Sequence, residues 1–163
     1  MAKILDSRKH GAASEAQISN LEATIGFPLP EDYKEFLRRH NGGRPEPAAF
    51  HFKNDSGDDE ENAVECFFPL RDLDSSAMKD ATVDDLPDWP VHCAWEDLQR
   101  DLRTLYEDEL EHAILPIATD GSGNYIAVVL EGDEAGSIVF FEHEMGTVTP
   151  LAANLTSFLD GLW

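Results

Sequence analysis

Asp120-Gly121-Ser122-Gly123-Asn124, with Glu131 twelfth counting from Asp120, has the outline of a calcium loop. An EF-hand wants oxygen ligands at its first, third, fifth and twelfth places and glycine at the sixth, where the chain turns sharply. Here the sixth place is Tyr125, and the IAVVL that follows has the composition of a strand. The stretch therefore has two readings, a cation loop or a plain hairpin turn, and Tyr125 favours the turn. Other chemistry is thinner. General acid–base work needs two carboxyls in unlike surroundings, whereas the run Asp58-Asp59-Glu60-Glu61 is solvated and equivalent. Six histidines (His10, His40, His51, His92, His112 and His143) lack partners at metal-ligand spacing, and the adjacent His92 and Cys93 have no second pair to complete a zinc site. Cys93 as a nucleophile would need a nearby cation, but Asp84, Asp85, Asp88, Glu96 and Asp97 crowd it in sequence and would raise its thiol. No nucleophile elbow, phosphate loop or dinucleotide fingerprint occurs. The sequence predicts no catalytic residue, no metal and no cofactor, so the chain reads as a binding protein and not an enzyme.

Charge is the informative property. Against 33 acidic residues stand 12 lysines and arginines, a net charge of -21 with histidine neutral. Nucleic acid and anionic membrane surfaces bind clustered cations and would be repelled. A basic protein partner, or simply solubility, accounts for such a field. Its placement is lopsided. Residues 1–54 hold seven acids and eight bases, residues 55–111 nineteen and four, and residues 112–163 seven and none. A solubility coat would spread more evenly, so the pattern points to a directional acidic surface.

The length of 163 residues suits one domain, 1–163, and a hydrophobic content of 42% is enough for a packed core. Two cysteines among apolar neighbours read as buried thiols in a reducing compartment. No apolar run reaches the 18 or so residues of a membrane span, and the N-terminus does not resemble a signal peptide. A cytoplasmic location is expected.

Residues 1–13 read as a flexible tail. Ser14 and Gln17 form a capping box for a helix carrying Ile18, Leu21 and Ile25, which Gly26 can end. Pro30 suits the first turn of a second helix, with Glu31 and Asp32 at its positive end, Tyr33, Phe36 and Leu37 as its apolar stripe, and Asn41-Gly42-Gly43 as its stop. AAFHFK and AVECFFPL read as strands, and NDSGDDEEN between them as irregular. Residues 72–91 read as a long acidic loop. Trp95, Leu98, Leu102, Leu105, Tyr106 and Leu110 keep helical spacing. ILPIAT, NYIAVVLE and SIVFFEH, separated by glycine-rich turns, predict an antiparallel meander, and NLTSFLDGLW a last helix. The class is α+β, an antiparallel sheet of about five or six strands with helices packed against it.

Two blocks carry a family likeness. ISNLEATIGFPLPEDYKEFLRRHNGG, through Gly26, Leu29, Pro30, Tyr33, Phe36, Leu37, Asn41 and Gly42, resembles the opening of the SUKH superfamily, in its Smi/Knr-type branch. LPIATDGSGNYIAVVLEGDEAGSIVFFEHE is similar to a later block of that family through Pro116, Ile117, Ala118, Asp120, Gly121, Gly123 and Tyr125, with Glu142, His143 and Glu144 at its far end. The likeness spans roughly residues 15–163 and implies a SUKH-like α+β fold. It also implies, for bacterial members, a frequent role as immunity protein against a polymorphic toxin, often a nuclease or nucleic-acid deaminase with a basic cleft. Related fungal proteins act as interaction hubs in cell-wall regulation, which makes an intracellular scaffold the alternative. Under either role the expected partner is a basic protein, not nucleic acid or membrane. The expected contact residues are Asp55, Asp58, Asp59, Glu60 and Glu61 first, then Asp84, Asp85 and Asp88.

Overall fold

The last third of the chain supplies the frame. In a computed structural model, which describes residues 1–72, 88–105 and 110–163, four strands follow one another as a meander. They are β6 (Ile114–Thr119), β7 (Tyr125–Val129), β8 (Ile138–Glu142) and β9 (Thr147–Ala152), with β5 (Cys66–Phe67) added beside β6. All neighbours in the order β5-β6-β7-β8-β9 are antiparallel. The apolar runs of β6, β7 and β8 have no polar side because both faces are covered. Leu115, Ile126, Val128, Ile138 and Phe140 share one core cluster with Ile18, Leu21, Tyr33, Leu37 and Phe158 of the flanking helices. Ile114, Ala127, Val129, Val139 and Phe141 share a second with Leu98 and Leu102. The sheet is thus the middle of three layers. One outer layer holds α1 (Glu15–Ile25), α2 (Glu31–Arg39) and α4 (Leu155–Asp160), and the other is α3 (Val91–Leu105).

Helix ends follow local chemistry. The Ser14 hydroxyl accepts from the Gln17 amide at 3.2 Å, while the Gln17 side chain accepts from the Ser14 amide at 2.9 Å, so both halves of the capping box form. Gly26 closes α1 at φ 80°, a left-handed conformation that costs glycine nothing. Pro30 stands one place earlier than expected, as the cap of α2 with ψ 144°, its carbonyl accepting from the Lys34 amide at 3.0 Å. Asn154 caps α4 through the Ser157 amide.

Asn41 holds this layer to the sheet. It is 2% exposed at φ 48°; its amide nitrogen donates to the carbonyls of Gly11 and Leu70, and its oxygen accepts from the Leu70 amide at 2.7 Å. A left-handed turn and three backbone groups, the two of Leu70 buried, are therefore served by one side chain, a combination that asparagine supplies better than most residues.

Three segments differ from expectation. The flexible tail expected over 1–13 contains β1 (Lys3–Leu5), paired antiparallel with β2 (Arg44–Glu46). Gly43 makes room for it: a Cβ there would lie 2.5 Å from the Leu5 carbonyl oxygen. The acidic stretch expected to be irregular contains β4 (Asp59–Ala63), drawn into a ladder by β3 (Ala49–Lys53), whose alternating phenylalanines fix its place. β9 was not among the expected strands; it carries Pro150 and lies at the sheet's edge, where proline is tolerated.

Candidate functional site

The β3–β4 hairpin gathers the first five expected contact residues. On its inner face, Phe50 and Phe52 key it to the core. Their rings lie 5.5 and 4.7 Å from that of Phe140, and Phe50 is 5.8 Å from Phe158. Each buried phenylalanine is worth about 1.5–3 kcal/mol, so the anchor is strong. The turn is held by Asn54, whose side-chain oxygen accepts from the amides of Ser56 and Asp58 at 2.9 and 3.0 Å. Asp55, Asp58, Asp59, Glu60 and Glu61 are all exposed. Lys53 is the one cation among residues 50–61, and its ammonium meets the Asp59 carboxylate at 2.7 Å. That hydrogen bond holds the Asp59 carboxyl below its usual range. The Glu60 carboxylate accepts from the Asn54 amide nitrogen at 2.6 Å, and Glu61 sits directly across from His51. The tip is therefore a rigid platform that projects excess negative charge into solvent.

One neighbour of this platform was missed. Trp163 stacks on His51, ring centroids 5.2 Å apart and 24° from parallel, and stays 53% exposed. Cross-strand partners point to the same side, so Trp163 lies on the face that carries His51, Lys53, Asp59 and Glu61. Its signal in the sequence was the aromatic that ends NLTSFLDGLW, given no core position. A half-exposed indole within an acidic rim has the character of an interface anchor.

The second group of expected contact residues fares differently. Asp84 and Asp85 lie outside the described residues. Asp88 is engaged within the chain, its carboxylate 2.9 Å from the Lys9 ammonium and 2.6 Å from His10 Nε2. Burial by itself would raise this carboxyl; the hydrogen bonds from Lys9 and His10 outweigh it and hold the group below the usual range. A depressed folded-state pKa gives stability that is present above about pH 4, the unfolded value, and is lost as pH falls through the folded one. Asp88→Asn is expected to flatten that acid limb, by at most about 1 kcal/mol for so exposed a pair. Urea unfolding of both forms from pH 6 to pH 3 checks it; parallel pH profiles would refute it.

The Asp120 loop is a hairpin turn. One Asp120 oxygen accepts from the amides of Ser122 and Asn124 at 2.8 and 3.2 Å; the other accepts from the side chains of Asn124 and Asn62 at 2.7 and 2.9 Å. Glu131 stands at the opposite end of β7 and accepts from the Ala113 amide. The Asn124 oxygen in turn meets the backbone amide of His143 at 3.0 Å and its Nδ1 at 2.9 Å. Asp120, Asn124 and His143, reached from β4 through Asn62, form a polar brace between the hairpin and the sheet.

Among the described residues no group of three or more His, Cys, Asp or Glu is placed to hold a metal. Cys66 and Cys93 are buried and not joined in a disulfide, and burial, aided by Glu65, pushes the Cys66 thiol up to about 12, far from a reactive thiolate. A hollow of about 160 Å³ lies on the α3 side, lined mainly by Ile114, Val129, Val139 and Val148 with His112 and Glu134. Among the described residues no helix is long and apolar enough to cross a membrane.

Comparison with known proteins fits this fold. A family model described as SMI1 / KNR4 family (SUKH-1) matches residues 12–161. The chain is similar to the SPbeta prophage-derived uncharacterized protein YokK of Bacillus subtilis (strain 168), 28% identical over 135 residues, a match covering 79% of this chain and 62% of that protein. The matched stretch thus spans less than two thirds of that relative's length.

Proposed function

This chain belongs to the SMI1 / KNR4 family (SUKH-1), and from that membership we propose that it works as an immunity protein. It binds a cognate bacterial toxin, of the nuclease or nucleic-acid-modifying kind, and covers the basic surface with which the toxin holds its substrate. The observation that carries the reading is the hairpin: five exposed carboxylates on a platform keyed into the core by Phe50 and Phe52, with Trp163 beside them. Negative charge at such a tip competes with the phosphates of the substrate, steers encounter, and leaves affinity to a few anchors. The action is occupancy, not turnover.

Affinity purification of the protein from its native cell tests this. The expected companion is a basic, toxic chain whose expression kills cells lacking this protein and spares cells that have it. Recovery of only non-toxic companions, with no protection conferred, would replace the immunity role with the scaffold role. Encounter steered by charge also predicts that the association rate falls by about a decade or more between about 50 and 500 mM salt.

A further inference from the structure

We infer that the partner docks by adding a β-strand along the open edge of β4, and that the segment it presents is extended and alternately basic; this rests on the binding reading above and specifies its geometry. The ladder fixes which backbone groups are free. The Val64 amide donates to the Ala48 carbonyl and the Asn54 amide to the Asp58 carbonyl, each at 3.0 Å, and the register pairs Phe50 with Asn62 and Phe52 with Glu60. In an antiparallel pair, bonded and non-bonded positions alternate. Glu60 and Asn62 therefore turn their backbone groups toward β3, while Asp59 and Glu61 turn theirs away. Among the described residues no hydrogen bond reaches the amides of Asp59 or Glu61 from that side. The amide of Ala63, the next outward position, is taken by the Asn62 side chain at 2.7 Å.

The opposite edge of the hairpin has neighbours at both of its ends. Ala49 exchanges both backbone hydrogen bonds with Trp163, at 3.1 and 3.2 Å, and the Lys53 carbonyl accepts from the Thr149 hydroxyl at 3.3 Å. Among the described residues the β4 side has no such neighbour along its length.

Charge selects the occupant. Pairing β4 with its own copy would bring Asp59, Glu60 and Glu61 against one another, and like charges across a ladder destabilise it. Charge on an exposed edge is a common guard against self-association. The same guard favours a strand of opposite sign. Side chains alternate, so Asp59 and Glu61 form one row and Glu60 the other. An incoming strand with Lys or Arg at every second position would match the first row while its main chain bonds the free amides, as in other cases of strand addition.

The test uses the full chain and a synthetic peptide of alternating lysine and threonine, with the same peptide N-methylated at every residue as its partner of equal charge. On saturation with the plain peptide, exchange of the Asp59 and Glu61 amides, followed by NMR, is expected to slow by at least about tenfold, while the already bonded Glu60 and Asn62 amides change little. The methylated peptide is expected to bind at least about tenfold more weakly, because it cannot donate along the edge. Glu61→Pro, which removes an outward amide but no bond to β3, is expected to reproduce that loss, and Glu61→Gln to weaken binding less. Equal affinity for the two peptides, or unchanged exchange at Asp59 and Glu61, overturns strand addition. If lysine at all five tip positions still abolishes peptide binding in that event, the electrostatic reading stands without it; if neither change affects binding, both fall.

Discussion

Lysine at Asp55, Asp58, Asp59, Glu60 and Glu61 together is expected to slow association with the native partner by about one to two orders of magnitude at low salt, and to abolish protection in cells. The reasoning is local. All five side chains are exposed, and among the described residues only Lys53 and Asn54 make side-chain hydrogen bonds to them. Their replacement reverses the outward field and leaves the Phe50 and Phe52 anchors in place; it gives up the exposed Lys53–Asp59 pair, worth about 0–1 kcal/mol, and the Asn54–Glu60 hydrogen bond. The urea midpoint is therefore expected to stay near that of the parent, which separates loss of function from loss of fold. Stopped-flow association at about 50 and 500 mM salt gives the measurement. Unchanged rates at both salts would show that this charge has no part in recognition. A single substitution is a poorer probe, since each carboxylate adds only a fraction of the field.

The second large effect is expected at Asn41. Asn41→Ala leaves the Leu70 amide and the carbonyls of Leu70 and Gly11 without their partner, and forces alanine to φ 48°. A buried, unpaired backbone group costs about 1–3 kcal/mol and a left-handed alanine about 1 kcal/mol more, so a loss of about 3–5 kcal/mol is expected. Asn41→Gly separates the two contributions: it accepts the backbone angle but not the hydrogen bonds, and should fall between alanine and the parent. Urea unfolding of the three proteins decides it. A loss under about 0.5 kcal/mol for alanine, the range of ordinary surface changes, would mean that those backbone groups find other partners.

What the sequence revealed depended on how local its causes were. The capping box at Ser14, the left-handed stop at Gly26 and the first three strands of the meander are written in neighbouring residues, and each was legible. Both faces of YIAVVL and IVFF are apolar because the sheet is a middle layer, which the pattern also showed. β4 was not legible, since nothing in DEENA favours a strand; its partner β3 imposes one. β1 was hidden for a similar reason, its place depending on the missing side chain of Gly43, nearly forty residues away. The site was half visible. Composition located the charge between 55 and 61, but the pairing of Asp88 with Lys9 and His10 joins segments some eighty residues apart. Trp163 joins the acidic face only through His51, a contact that no spacing rule encodes. The calcium outline failed where geometry demanded it: Asp120 spends both oxygens on its own turn and on Asn62.

The way the hairpin is mounted separates two kinds of selection on this chain. Two rings, Phe50 and Phe52, carry its attachment, and the turn beyond them contributes almost nothing to the interior. The exposed carboxylates at 55 and 58–61 can accordingly change in sign or size, with Asn54 and Gly57 kept for the turn, while the body beneath keeps its stability. A change of binding partner could be followed by altering these few positions alone, with the rest of the molecule serving as a constant handle.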